Sequence, residues 1–175
     1  MNHASLASTT NKSNETCKAI IITIAGHLLA IPVSTVFKII RSSLYKSSNL
    51  GTNKLVHLEE QTLPIIDLRN FLSKIEPSNN LQHHAPTSSD REEFLVLAKS
   101  NRGNLSALVV DEPPTLMDLP LQNTYLLPPN EQRNINNIAS HIAVVPFGQS
   151  NITIYLLDIE QALTATGFTH STDLA

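Results

Sequence analysis

The sequence predicts a mainly β protein, two small antiparallel barrels packed together with a few short helices, and three observations carry that expectation. Short aliphatic runs recur between closely spaced turn signals. One phrase occurs twice, TLPIIDLRNFL from Thr62 to Leu72 and, 91 positions later, TIYLLDIEQAL from Thr153 to Leu163. Each copy runs apolar up to an aspartate, Asp67 or Asp158, as a strand buried on both faces would. After the aspartate, Leu68, Phe71 and Leu72, or Ile159, Ala162 and Leu163, take the spacing of one helical face. Each phrase therefore closes one half of the molecule, and each aspartate is expected to cap the helix that follows it.

The elements follow in order. Residues 1–16 are polar, rich in Ser, Thr and Asn, and are expected to be disordered because nothing in them offsets the entropy of ordering. Cys17 to Ala25 and His27 to Val33 are β-branched or aliphatic runs around Gly26, a hairpin with a tight turn. In Ser34 to Ile40 the spacing of Val36, Ile39 and Ile40 suits a helix, but Pro32 and the β-branched content favour a single turn and another strand. Asn53 to Asp67 supplies two strands with a turn near Glu59 and Glu60. The first barrel thus spans about 17–72, and the polar, proline-containing stretch 73–93 is a surface connection.

The second barrel, about 94–163, opens with Phe94 to Asp111, again strand, turn and strand, with Asn101 to Gly103 as the turn. Leu28 to Ile39 aligns with Leu105 to Leu116 at a spacing of 77, and the later spacing of 91 reflects a longer loop, Gln122 to Ser140. His141 to Phe147 and Asn151 to Asp158 resume as strands, and residues 164–175 read as a polar tail.

Composition narrows function. The chain has 175 residues, a net charge of -3 and 15% charged residues, which leaves no basic stripe for nucleic acid and no polybasic tail for an anionic membrane. No apolar run is long enough to cross a bilayer and the opening residues lack a leader's pattern, so a cytoplasmic protein is expected. The single Cys17 has no internal disulfide partner and reads as a small, nearly buried hydrophobe. The Asn-x-Ser/Thr triplets at Asn11, Asn14, Asn104 and Asn151 are ordinary composition without a secretory signal.

Catalytic and cofactor patterns are absent from the sequence. His3, His27, His57, His83, His84, His141 and His170 form no metal-binding spacing, and the five glycines form no phosphate loop or dinucleotide fingerprint. Glu59 and Glu60 read as a solvated turn rather than an acid–base pair, because neighbouring strand residues face opposite ways. No catalytic residue, metal or cofactor is expected.

The stretches ITIAGHLLAIPVSTVFKIIR, LPIIDLRNFL, LVVDEP and LLDIEQAL, in that order between about Lys18 and Leu163, resemble the CheW-like family, the adaptors of bacterial chemosensory arrays. The resemblance implies two five-stranded SH3-like barrels around a shared core and no enzymatic activity. It implies binding of the regulatory domain of a CheA-type histidine kinase and of the hairpin tip of a methyl-accepting chemoreceptor, in control of flagellar or type IV pilus movement. An interaction module serving another assembly is the alternative. Partner-binding positions carried over by the resemblance are Val36, Lys38 and Ile39, and Leu58, Glu59 and Glu60. Several departures stand out. Lys38 occupies a glutamate position, and His57-Leu58-Glu59-Glu60 replaces N-L-R-G, so an arginine has become an acid. Leu29-Ala30-Ile31 replaces Y-G-I, Ala107 stands at the equivalent glycine, and Pro113-Pro114 interrupts the continuation of V-V-D.

Overall fold

Two β-branched runs meeting at Gly26 make the first hairpin, β1 (Thr16–Ile24) and β2 (His27–Pro32), closed by the Ile24 and His27 pair. Its two-residue turn has φ of 48° at Ala25 and 78° at Gly26, the left-handed pair that matches the twist of the flanking strands. In this computed structural model, which describes residues 15–41, 46–50, 53–76, 93–127 and 135–168, the chain continues through a 3-10 turn at Val33–Thr35 into β3 (Val36–Arg41). The single turn expected between Pro32 and the next strand is therefore present. The first half is completed by β4 (Lys46–Leu50), β5 (Asn53–Leu58), β6 (Gln61–Ile66) and the short helix α1 (Arg69–Leu72). The second half runs β7 (Phe94–Lys99), β8 (Leu105–Val110), β9 (Thr115–Pro120), β10 (Thr124–Leu126), β11 (Ala139–Phe147), β12 (Ser150–Leu157) and α2 (Ile159–Ala165).

Among the described residues the strands form two six-stranded sheets, ordered β10-β11-β12-β2-β1-β9 and β3-β7-β8-β6-β5-β4. Both orders follow one rule. The fourth, fifth and sixth strands of one half are followed by the second and first strands of the other half, and then by the third strand of the original half. The halves have thus exchanged their opening hairpins, and each exchange is sealed by a parallel contact, β12 with β2 (Tyr155 opposite Leu29) and β6 with β8 (Ile65 opposite Ala107). The protein is mainly β with two barrel-like subdomains. The ranges 17–72 and 94–163 divide the repeats but not the sheets, and each sheet has six strands rather than five.

The exchange explains why the strands are apolar on both faces. Side chains alternate across a strand, so Leu95, Leu97, Ala107 and Val109 fill the interior of one subdomain with Ile40, Val56, Leu63 and Ile65. Ala19, Ile21, Leu28, Ala30, Ile152 and Ile154 fill the other. The opposite faces supply Ile22, Leu29, Ile31, Ile66, Val96, Leu108 and Leu157 to a third cluster shared by the two sheets. Each fully buried Val, Leu or Ile contributes about 1.5–3 kcal/mol, so a hairpin buried on both faces anchors two cores at once.

Several sequence boundaries move. Thr16 belongs to β1, paired with Pro120, and the Glu15 carbonyl accepts from the Leu121 N–H, so ordering starts before residue 17. Cys17 is half-buried rather than nearly buried. In the connection, Ile75 enters the shared core once its N–H closes on the Leu72 carbonyl. The long loop carries edge strand β10 and buries Ile135 and Ile138. Helix α2 runs to Ala165. It ends in paired bonds from Phe168 N–H to Leu163 O and from Gly167 N–H to Thr164 O, with Gly167 at φ 89°, and Phe168 then packs on the core. The disorder expected of 1–14, the surface path of 77–92 and the tail 169–175 lie outside the described residues.

Candidate functional site

Strand β3 is a sheet edge with an irregular register. Val36 pairs with Ala98 and Lys38 with Leu97, which leaves Phe37 as an extra residue at a β-bulge. The bulge turns Phe37 out of the ladder: it is 62% exposed, with the Lys99 Nζ 5.7 Å from its ring centroid. Ile40 is buried in the barrel cluster, Lys38 and Ile39 are exposed, and Val36 is half-buried against the shared core.

On the other side of the same sheet, Leu58 and Gln61 close a two-residue turn made of Glu59 and Glu60. Glu59 has φ 53°, a left-handed conformation that costs a non-glycine residue about 1–2 kcal/mol. Next to the turn, His57 links neighbouring strands through Nε2 to Ser48 Oγ at 2.7 Å and Nδ1 to Thr62 Oγ1 at 3.0 Å.

These two regions are walls of one groove of about 1010 Å³. Lys38, Ile39, Leu58, Glu59 and Glu60 all line it, with Phe37 and Lys99, and Leu63, Leu97 and Leu105 form an apolar floor continuous with the barrel interior. Val36 stands apart from it. Of the six positions singled out in the sequence, five are therefore brought onto one surface. No ion pair joins Lys38 to Glu59 among the described residues. Phe37 and Lys99 escaped sequence reading because only the β3–β7 pairing brings them together.

A second polar cluster lies at the end of β6. Asp67 is not the N-cap residue of α1; that position is held by Leu68, which makes no side-chain cap bond. Instead Arg69 holds both carboxylate oxygens, Nε to Oδ1 at 2.9 Å and NH2 to Oδ2 at 2.6 Å, and reaches Glu93 Oε1 at 2.5 Å. The Arg69 backbone N–H still donates to Asp67 Oδ1 at 3.2 Å, so one first-turn donor is satisfied. Burial pushes the Asp67 pKa up, but the hydrogen bonds and charge of Arg69, with Lys54 beyond, outweigh it and leave it lowered. The bond to Asp67 raises the Arg69 pKa against its own desolvation. In α2 the expected cap is present, with Asp158 Oδ1 accepting from the Gln161 N–H at 3.1 Å.

The histidines are scattered. His27 is buried, its Nε2 3.2 Å from the carbonyls of Leu72 and Ile75, and His141 pairs with Ser140. Among the described residues no three His, Cys, Asp or Glu side chains gather as a metal site would require, and no helix is long and apolar enough to cross a membrane.

Comparison with known proteins matches this architecture. The scaffolding protein TtCheW from Thermoanaerobacter tengcongensis, a crystal structure, is similar in fold with a TM-score of 0.58, covering 82% of this chain and 91% of that one at 15% identity. No curated protein matches the chain. The CheW-like domain matches residues 18–166, a span that takes in both copies of the repeated phrase and both exchanged hairpins. The chain belongs to the CheW-like domain family.

Proposed function

We propose that this chain is a non-enzymatic adaptor of a bacterial chemosensory pathway, binding the regulatory domain of a CheA-type histidine kinase and a methyl-accepting chemoreceptor to control flagellar or type IV pilus movement. Family membership supports the adaptor role. The observation that carries a protein-binding role is the groove, which gathers Lys38, Ile39, Leu58, Glu59 and Glu60 around exposed apolar side chains. An apolar floor with a charged rim is the composition of a protein interface. The test is calorimetric titration of the full chain with the kinase regulatory domain and with the receptor's cytoplasmic hairpin, both from the same genome. Saturable binding of the kinase domain is expected, and the adaptor reading falls if neither protein binds.

One observation favours the second reading, an interaction module of another assembly. Lys38 and Glu59 invert the signs implied by the resemblance, and both sit on the groove. Under that reading the native partner differs from an ordinary kinase, and like-charge juxtaposition would exclude the common one. Comparing a kinase domain from a distant pathway with the native one separates the two.

A further inference from the structure

The groove has a feature that neither reading above assigns: its charges are segregated. Lys38 and Arg41 of β3 and Lys99 of β7 line one side of the sheet, Glu59 and Glu60 of the β5–β6 turn the other, with β8 between them. Among the described residues Lys38, Lys99, Glu59 and Glu60 make no ion pair. Between the walls lie Leu63, Leu97 and Leu105, with Ile39 and Leu58 on the walls themselves, and the exposed Phe37 lies on the basic side with the Lys99 Nζ over its ring. Opposite charges held apart across an apolar floor attract a ligand with the opposite segregation.

We propose that the groove receives a helix of the partner protein whose apolar stripe lies on the floor, with carboxylates along one flank facing Lys38 and Lys99 and cations along the other facing Glu59 and Glu60. The shape of the charge pattern selects a helix over a strand. A strand alternates its side chains between two faces, so only one row enters a groove and neither wall meets a row of its own. A helix carries an apolar stripe with a distinct row on each side of it, at the i, i+3 and i+4 spacings. Phe37 is the anchor, an aromatic ring turned out by the bulge and flanked by a cation, of the kind that dominates interface energetics. Because a helix turned end for end exchanges its flanks, the segregation also fixes the direction in which the helix lies. This deepens the adaptor reading and rests on it only for the partner's identity.

The experiment titrates isotope-labelled full chain with two synthetic helical peptides of identical composition, each with a leucine stripe. One has Glu on one flank and Arg on the other; the second has the same residues mixed on both flanks. The segregated peptide is expected to bind about tenfold more tightly, since charge arrangement alone differs. It should perturb the amide signals of Phe37, Ile39, Leu58 and Lys99. The preference should disappear in the double variant Glu59→Lys, Glu60→Lys, whose fold is checked by its spectrum. Equal affinity for the two peptides, or perturbations confined to another surface, overturns the proposal. So does binding of both the native kinase domain and the receptor hairpin that is the same for wild type and for the Phe37→Ala and charge variants, a result that leaves the adaptor reading standing. If neither kinase nor receptor binds but the segregated peptide does so at the groove, the adaptor reading falls and the groove proposal stands.

Discussion

Asp67 and Asp158 end the same phrase in the two halves, yet they behave differently. Asp158 sits in extended backbone and caps α2, and Gln161 three positions on donates from both its backbone and its side chain, at 3.1 Å and 3.4 Å. Both bonds end on the Asp158 carboxylate, a side-chain cap reinforced by the Gln161 amide, while the Asp158 N–H donates to the Ile138 carbonyl. In the first copy the third position is Asn70, and the second is Arg69, where the other copy has Glu160. Arg69 takes the carboxylate in a bidentate grip and carries it to Glu93 at the start of the second half, with Lys54 of β5 3.8 Å away. One aspartate is local and finishes a helix of seven residues; the other is a long-range tie beside a helix of four. A repeated strand preserves the core, and the residue two positions past the aspartate decides what the aspartate does.

The core should be where the copies agree. Ile66 and Leu157 both precede their aspartate and both contribute to the shared cluster. Truncating either to Ala should cost about 2–5 kcal/mol through lost burial and residual cavity, read by denaturant unfolding. A cost below about 1 kcal/mol at one of them would break the equivalence of the copies, since changes that small are typical of sites without a core role.

The aspartates should be where the copies part. Asp158→Ala should cost about 0.5–2 kcal/mol, the range of a lost cap, and should shorten α2. Asp67→Asn should cost about 1–2 kcal/mol, a charged hydrogen-bond loss discounted for solvent around the half-exposed Arg69, without changing helix content. It should also alter the acid limb. Because the folded pKa of Asp67 is lowered from 3.8, its contribution is fully present above that value and is lost as pH falls through the lower folded pKa. Below about pH 4 the wild type should therefore lose stability more steeply than Asp67→Asn. Parallel curves would show that Arg69 does not stabilise the charged carboxylate.

Much of this was legible in the sequence because it is local. Gly26 and Asn101 to Gly103 mark the two turns, and uninterrupted aliphatic runs mark strands buried on both faces. The exchange of hairpins was not legible, since the spacing of 77 reveals a repeat without saying which sheet its strands join. At Asp67 the backbone N–H bond was legible but the ion-pair cluster was not, because a sequence offers the first-turn N–H as a partner and hides Glu93, which draws Arg69 across the carboxylate. At the groove, resemblance located Lys38, Ile39 and the Glu59–Glu60 turn, but not Phe37. An aromatic in a β-rich run reads as core, and the bulge that expels it exists only in the pairing with β7.

The smallest expected effect concerns the turns that precede the two phrases. In the second half, Phe147 and Ser150 close a turn whose first residue is Gly148 at φ 61°. In the first half the corresponding first position is Glu59 at φ 53°. Glycine adopts that conformation without steric cost, whereas glutamate is strained there by about 1–2 kcal/mol. Glu59→Gly should therefore stabilise the chain, by about 0.5–1 kcal/mol once the extra freedom glycine brings to the unfolded state is subtracted. The same change removes one carboxylate from the acidic wall of the groove, so affinity for a helix with segregated flanks should fall while stability rises. Opposite signs would indicate that a strained glutamate is kept at this turn for recognition, the pattern in which backbone strain gathers at binding sites. Unfolding and peptide titration of the one variant read both quantities. A loss of stability would mean that the Glu59 side chain itself holds the turn, and unchanged affinity would leave Glu60 as the acid that the partner meets.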